Sequence, residues 1–216
     1  MFSNLVRKLA GIPSILDCNF ASGLDAGGYL LYGLGRSLRP KVCVEIGSAR
    51  GLSACLIGQA LKENGSGKLY AIDPHEPTGW NDGNSVDSYS LMIANLERFG
   101  ISSYVEIVRD YSTNVGKTWD KEIDLLFIDG DHSYEGVKAD WEVFSPHVSK
   151  FGIVVFHDTT WDFHRDSKWF RSDMGVPKFV EELRVSGYQV ITIDQYCGIS
   201  MVQPKLGGVP LVSEDN

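Results

Sequence analysis

A short apolar run followed at once by a turn with two glycines constrains this sequence more than any other feature. Val42–Ile46 is typical of a buried strand, and Gly47 and Gly51 precede a helical pattern that starts at Leu52. A tight glycine turn lets a ligand approach the backbone, and the helix N-terminus offers unpaired N–H groups. The carboxylate of Glu45 ahead of the turn favours a ligand with a positive charge or hydrogen-bond donors over a phosphate.

Two nucleotide-binding patterns do not fit this turn. The dinucleotide pattern G-x-G-x-x-G would need glycines where Ala49 and Leu52 stand, and the Walker pattern needs a G-K-[ST] triplet that the sequence lacks. The turn instead resembles the E-x-G-x-x-x-G loop of class I S-adenosylmethionine-dependent methyltransferases. Glycine turns follow strands in other α/β proteins as well, so the turn alone leaves the class open.

The composition indicates a globular protein without nucleic-acid or membrane partners. The net charge of −8 over 216 residues argues against a nucleic-acid partner, which would require a basic face. No apolar stretch approaches the roughly 18 residues of a membrane span, and the first residues lack a signal peptide. The four cysteines show no C-x-x-C spacing. We therefore expect a cytoplasmic protein with reduced cysteines.

Strand and helix patterns alternate from about residue 40. Strands are predicted at 42–46, 68–72, 104–108, 123–128, 151–156, 188–193 and 197–202, and helices at 52–63, 87–99, 134–148 and 176–186. This alternation predicts an α/β fold with a doubly wound, seven-stranded, mostly parallel sheet. The short link between the last two strands requires an antiparallel last strand, as the methyltransferase resemblance also implies.

Two regions are predicted along the chain. Residues 1–39 form an N-terminal helical extension, with short helices at Leu5–Leu9 and Tyr29–Leu38, and residues 40–216 form the methyltransferase domain with its Rossmann-like fold. The apolar segment Leu5–Ile15 is a candidate contact of a homodimer.

Polar residues follow the first three predicted strands, at the edge where doubly wound sheets bind ligands. Asp73 ends the second strand, where an acid would accept hydrogen bonds from both hydroxyls of a ribose. The third strand is followed by Asp110, Tyr111 and Ser112, where methyltransferases tend to bind adenine. Asp110 would accept a hydrogen bond from the adenine amino group, and Tyr111 or Ser112 would flank the ring. The predicted donor-binding residues are Glu45, Gly47, Ser48, Gly51, Ser53, Asp73, Asp110, Tyr111 and Asp129.

The fourth and fifth strands end in acids and histidines. Asp129 follows the fourth strand, and His157 and Asp158 end the fifth. If these strands are neighbours, the three side chains can hold a divalent ion and leave positions open for the hydroxyls of a substrate. His132, in the turn after Asp129, is predicted to be the catalytic base. Asp131 is expected either to cap the next helix or to line the pocket.

The segment from Ile128 to Asp140, with Phe156–Thr159 after it, resembles a known family. It is similar to the small-molecule O-methyltransferases grouped with the macrocin and mycinamicin enzymes and the cephalosporin-hydroxylase-like proteins, over about residues 40–203. The resemblance implies S-adenosylmethionine-dependent O-methylation of a hydroxylated small molecule, such as a sugar or a natural-product ring. It also implies a magnesium ion at Asp129 and His157-Asp158 and a general base at His132.

The sequence departs from that family at His157, where the sugar-modifying members carry a carboxylate. An imidazole would suit Mn²⁺, Co²⁺, Fe²⁺ or Zn²⁺ better than Mg²⁺. The alternative is that His157 contacts the substrate and the metal is weakly held or missing.

Other functions fit some of the same residues. Asp129, His132 and His157 have the composition of a two-histidine, one-carboxylate iron site, so a non-haem iron hydroxylase-like enzyme is the main alternative. Such sites usually lie on antiparallel barrels, and this function would leave the glycine turn without a purpose. A third possibility is a non-catalytic partner protein that binds the cofactor. The aromatic-rich loop 159–175 is expected to cover the acceptor, through Trp161, Phe163, Arg165, Trp169 and Phe170.

Overall fold

The computed structural model describes residues 20, 22–24, 27–77, 87–161, 171–194 and 197–204. Its strands are β1 (Val42–Ile46), β2 (Lys68–Ile72), β3 (Val105–Val108), β4 (Ile123–Ile128), β5 (Val148–His157), β6 (Val190–Ile193) and β7 (Ile199–Val202). Its helices are α1 (Gly28–Leu38), α2 (Leu52–Asn64), α3 (Ser88–Arg98), α4 (Ser112–Gly116), α5 (Tyr134–Phe144) and α6 (Val176–Val185), with short 3₁₀ turns at Ser102–Tyr104 and Ser145–His147.

The seven strands form one sheet in the order β3-β2-β1-β4-β5-β7-β6. Neighbouring strands are parallel except where β7 pairs with β5 and with β6. This is the doubly wound sheet with an antiparallel last strand that the sequence predicts. The direction of the connections reverses between β1 and β4, so the ends of these two strands flank the crevice where such sheets bind ligands.

Helices cover both faces of the sheet, which explains why the central strands are mostly apolar. Successive residues of β4 point to opposite faces. Leu125 and Phe127 therefore join the core under α1, α2 and α3, whereas Leu126 and Ile128 join the core under α5 and α6. In the described ranges, no helix is both long and apolar enough to cross a membrane.

Some element bounds differ from the predictions. Helix α5 ends at Phe144 and not at 148, because Pro146 opens a 3₁₀ turn. Strand β5 begins at Val148, three residues before its predicted start. Helix α4 has only five residues and was not predicted, since so short a helix shows no periodic pattern. The predicted helix Leu5–Leu9 and the dimer segment Leu5–Ile15 lie outside the described residues.

Candidate active site

The turn between β1 and α2 requires its glycines. Gly47 and Gly51 have φ angles of +85° and +87°, in the left-handed region that favours glycine. A Cβ at Gly47 would lie 2.1 Å from the carbonyl oxygen of Asp129, and a Cβ at Gly51 would lie 2.9 Å from the Met92 side chain. The turn therefore packs directly against the end of β4. A valine at position 47 would therefore displace the protein's own backbone.

Glu45 lies beneath this turn and is completely buried. In the described part of the chain, neither Glu45 carboxylate oxygen nor the buried Ser48 hydroxyl has a hydrogen-bond partner. Burial raises the pKa of Glu45 to about 8; the nearby Ser53 and Ser48 hydroxyls lower it in part, without hydrogen bonds of good geometry. Buried acceptors normally have partners. These groups therefore fit a ligand that brings N–H donors or a positive charge, as S-adenosylmethionine would.

Asp73 connects the end of β2 to the same turn. One carboxylate oxygen accepts a hydrogen bond from the Ala49 N–H at 2.8 Å, and the other accepts from the His75 N–H at 2.6 Å. Ala49 has a φ of +43°, so this bond helps to hold a conformation that is unusual for a residue with a side chain. Asp73 is therefore next to the glycine turn. Its contact with a ribose stays a prediction.

Asp110 and Tyr111 follow β3 and are both exposed. An oxygen of the Asp110 side chain accepts hydrogen bonds from the Tyr111 N–H at 2.7 Å and the Asn114 amide at 3.0 Å, which fixes the start of α4. The Tyr111 hydroxyl donates to Glu76. Both residues lie at the strand end where the sequence predicts them. Their contact with adenine stays a prediction.

Two carboxylates and two imidazoles meet at the ends of β4 and β5. The register of the two strands pairs Ile128 with Phe156, which places the following residues, Asp129 and His157, side by side. His157 Nδ1 lies 3.0 Å from Asp129 Oδ1 and 3.4 Å from Asp158 Oδ1. His132 Nδ1 lies 3.0 Å from Asp158 Oδ2, and its Nε2 lies 3.5 Å from Asp129 Oδ1. We call these four residues the acid–imidazole cluster.

The backbone after β5 holds Asp158 toward this cluster. Asp158 has a φ of +59°, which is unfavourable for a non-glycine residue. Two backbone hydrogen bonds support the strained turn, from Thr159 N–H to Gly198 and from Thr160 N–H to Cys197. The Cys197 thiol also lies close to the Asp158 carboxylate and lowers its pKa. No sequence pattern indicated that Cys197 would lie at this site.

Burial and neighbouring charges have opposite effects on the pKa values of the cluster. Burial lowers the pKa of His157, but the carboxylates of Asp129 and Asp158 raise it more, to about 9. Burial also raises the pKa of Asp158, against the opposing effect of the two imidazoles and the thiol. A group that brings positive charge is therefore favourable between these carboxylates.

The donor atoms of the cluster suit a divalent ion. Asp129, His132 and Asp158 each offer one ligand atom, and the three atoms lie within 4.8 Å of one another. The sequence predicts His157, with Asp129 and Asp158, as the set of ligands. In the structure, His157 Nδ1 contacts both carboxylates. Whether an ion binds, and through which imidazole, stays a prediction.

Two further side chains differ from the sequence-based expectation or were absent from it. Ser133, not Asp131, caps α5, because its hydroxyl accepts a hydrogen bond from the Gly136 N–H; Asp131 accepts one from the Ser133 N–H. Asp140 is buried and accepts a hydrogen bond from Ser112, although only its position within the family-like segment could have indicated it.

Of the predicted acceptor loop, residues 162–170 lie outside the described residues.

Several solved structures of methyltransferases share this fold. The O-methyltransferase TomG from Streptomyces achromogenes, involved in tomaymycin synthesis and bound to S-adenosylmethionine, aligns with a TM-score of 0.61 and 20% identity over 82% of this chain and 78% of its own. An O-methyltransferase from Bacillus cereus bound to S-adenosylhomocysteine aligns with a TM-score of 0.62 and 17% identity over 92% and 87%. A Podospora anserina methyltransferase bound to S-adenosylhomocysteine aligns with a TM-score of 0.65 and 16% identity over 82% of this chain and 77% of its own. The fold is that of the class I methyltransferases.

The sequence also matches a family. Residues 44–159, more than half of the chain, match a family model described as a methyltransferase domain, so the chain belongs to the methyltransferase domain family. The predicted methyltransferase domain, with its class I fold, is thereby confirmed.

Two sequence relatives are uncharacterised proteins. One, from Sinorhizobium fredii, is 29% identical over 62% of this chain, and one, from Acanthamoeba polyphaga mimivirus, is 30% identical over 67%. The chain spans 15% and 62% of the lengths of these two relatives.

Proposed function

We propose that the protein transfers a methyl group from S-adenosylmethionine to a hydroxyl oxygen of a small molecule, assisted by a divalent ion at the acid–imidazole cluster. The observation that carries this proposal is the contact between the two halves of the site. The glycine turn of the donor site packs on the backbone of Asp129, so closely that Gly47 has no room for a Cβ. The groups that can prepare an oxygen nucleophile therefore adjoin the donor turn.

The donor half is assigned to the residues at the ends of β1, β2 and β3. Glu45 would pair with the donor's ammonium group, Asp73 with the ribose, and Asp110 and Tyr111 with the adenine. Bound S-adenosylmethionine supplies a methyl carbon that its sulfonium already activates. The chain then has to hold the donor and place an oxygen in line with that carbon.

The acceptor half is assigned to the acid–imidazole cluster, with His132 as the proton acceptor. The His132 side chain is 20% exposed, whereas that of His157 is 6% exposed and lies against both carboxylates. If Nδ1 donates its hydrogen to Asp158, Nε2 keeps the lone pair that can accept a proton from the substrate. Asp158 would then fix the ring and stabilise the imidazolium that forms. A divalent ion held by Asp129 and Asp158 would lower the pKa of a coordinated hydroxyl.

The proposed acceptor is a hydroxylated sugar or natural-product ring, as the family resemblance implies. A small-molecule acceptor also agrees with the fold of TomG, which is involved in tomaymycin synthesis. The carboxylates and imidazoles of the cluster suit removal of a proton from a hydroxyl more than any chemistry at an apolar carbon.

Calorimetry with S-adenosylhomocysteine, with and without Mn²⁺, tests the donor half of this proposal. We expect binding of the thioether product in both conditions, followed by methyl transfer when hydroxylated metabolites are screened with a labelled donor. Binding without transfer to any acceptor would favour the non-catalytic partner. No binding, together with iron-dependent oxygen uptake, would favour the hydroxylase-like enzyme and refute the proposal.

A further inference from the structure

Asp140 is a buried carboxyl group that the proposed reaction does not use. It lies on α5 and is 3% exposed. The Ser112 hydroxyl donates to Asp140 Oδ1 at 2.5 Å. The Asp140 Oδ2 atom lies 3.3 Å from the place that a Cβ on Gly130 would take, so the carboxyl group also lies against the turn after β4. A single buried side chain thus contacts both the start of α4 and the residue that follows Asp129.

Helix α4 lies directly on α5 at this point. A Cβ at Gly116 would overlap the Val143 side chain, so there is no room for even a methyl group between the end of α4 and α5. At the other end of α4, the Ser112–Asp140 hydrogen bond is a polar contact to α5. The five-residue helix is therefore held at both ends, although a helix this short is unstable alone.

The residues immediately before α4 are Asp110 and Tyr111. Asp110 accepts hydrogen bonds from Tyr111 N–H and from the Asn114 side chain, so its position depends on where α4 begins. We propose that Asp140 is a positioning residue for adenine binding: through Ser112 it fixes the start of α4, and with it the loop that binds the donor's adenine. This inference rests on the proposed function, because it takes the end of β3 as the adenine-binding segment.

A matched serine–aspartate pair provides the control. The Ser149 hydroxyl donates to Asp124 at 3.3 Å, and Asp124 also accepts hydrogen bonds from the backbone N–H groups of Lys41 and Val42 at the start of β1. This pair lies at the opposite ends of the strands from the donor turn. Loss of the Ser149 hydroxyl can weaken the fold, but Ser149 and Asp124 do not belong to the elements that hold the adenine loop.

The experiment measures the affinities of S-adenosylhomocysteine and of adenosine by calorimetry for Ser112→Ala, Asp140→Ala, Asp140→Asn and Ser149→Ala. We expect Ser112→Ala and Asp140→Ala each to weaken the binding of both ligands by about tenfold. The double variant Ser112→Ala/Asp140→Ala should bind no more weakly than either single variant. Asp140→Asn keeps an acceptor for Ser112 and should restore both affinities to within about twofold. Ser149→Ala should leave both unchanged.

Other outcomes would overturn the inference. If Ser112→Ala binds both ligands as the wild type does, or weakens the product but not adenosine, Asp140 does not position the adenine loop. If Asp140→Ala does not fold, Ser112→Ala and Asp140→Asn still decide the question. If the wild-type protein binds neither ligand, the proposed function itself is wrong, which is a different result from unchanged affinity in the variants.

Discussion

Glu45 shows how a single residue can link donor binding to pH. Its carboxylate is buried without a hydrogen-bond partner among the described residues, and burial raises its pKa to about 8. The protonated form is therefore favoured in the ligand-free protein below that pH. The ammonium group of a bound donor favours the ionised form instead. Binding below pH 8 must therefore release a proton from Glu45.

The affinity for S-adenosylhomocysteine should consequently rise with pH. Between about pH 6 and pH 8 we expect the affinity to increase by up to about tenfold per pH unit, with release of up to about one proton per ligand bound. Above that range the affinity should be constant. Calorimetry in buffers of different ionisation enthalpy measures both quantities. Glu45→Gln should bind more weakly and show no slope. A flat affinity in the wild-type protein, or proton uptake, would contradict the pairing of Glu45 with the ammonium group.

Removal of the His132 imidazole should affect turnover and not donor binding. His132→Ala should lower kcat by roughly 10²–10⁴-fold, the usual contribution of a general base, with the affinity for S-adenosylhomocysteine within a few-fold of the wild type. His147→Ala is the control, because His147 lies on a 3₁₀ turn before β5, at the other end of that strand. If His132→Ala loses bound Mn²⁺, the residue is a metal ligand. If His132→Ala keeps the turnover of the wild type, His132 is not the base.

The Asp129 side chain should matter for the ion, whereas the donor site should depend only on the Asp129 backbone. The glycine turn rests on the backbone of Asp129, which Asp129→Ala preserves, whereas the ion would bind the side chain. We expect this variant to lose Mn²⁺ binding and metal-dependent activity while it binds S-adenosylhomocysteine to within a few-fold. Titration with Mn²⁺ and Mg²⁺ measures the first effect and calorimetry the second. Full activity of the wild type in EDTA would refute the metal role.

At the scale of elements, the buried strands were the easiest to predict. The bounds of β1, β2 and β4 agree with the predicted ones. In β4 the run 125–128 is continuously apolar, because a strand covered on both faces needs such a run. Helix α4 could not be predicted, since its five residues depend on packing against α5 and not on a local pattern. For the same reason, the side chain that holds it, Asp140, carried no signal of its function in the sequence.

Asp140 also makes the packing of α4 on α5 sensitive to pH. Burial raises its pKa to about 7, although the hydrogen bond from Ser112 opposes this. Between about pH 4 and pH 7 the folded protein keeps a proton on this group that the unfolded chain releases. The contribution of Asp140 to the free energy of unfolding must therefore fall as pH rises through this range.

The variant Asp140→Asn cannot ionise and should lack this loss. We expect the difference in unfolding free energy between variant and wild type to shift in favour of the variant by roughly 2–4 kcal/mol from about pH 4 to pH 7. Urea unfolding at several pH values measures it, and the difference removes the effects of other titrating groups. A difference that is constant with pH would show that Asp140 titrates normally.

At the scale of the whole molecule, the alternation of elements predicts a doubly wound sheet, and the residues at the strand ends predict which edge binds ligands. The distances within the acid–imidazole cluster could not be predicted. They depend on the register of β4 with β5 and on the left-handed conformation of Asp158, which no local pattern encodes. The contact of Gly47 with Asp129 was missed for the same reason, because the two residues are far apart in the chain and meet only in the folded sheet.

That contact has a consequence for the stability of the whole protein. The donor turn follows β1, a central strand of the sheet, so a ligand bound there contacts elements that unfold together. At about 100 times its Kd, S-adenosylhomocysteine should raise the free energy of unfolding by about 2.7 kcal/mol, which corresponds to an increase in Tm of roughly 5–10 °C for a chain of this size. Thermal unfolding followed by circular dichroism, over a series of ligand concentrations, measures this shift. Glu45→Gln should need a higher ligand concentration for the same increase, and Ser149→Ala should show the full increase from a lower starting Tm. An unchanged Tm in the wild-type protein at saturating ligand would mean that the turn between β1 and α2 does not bind the donor.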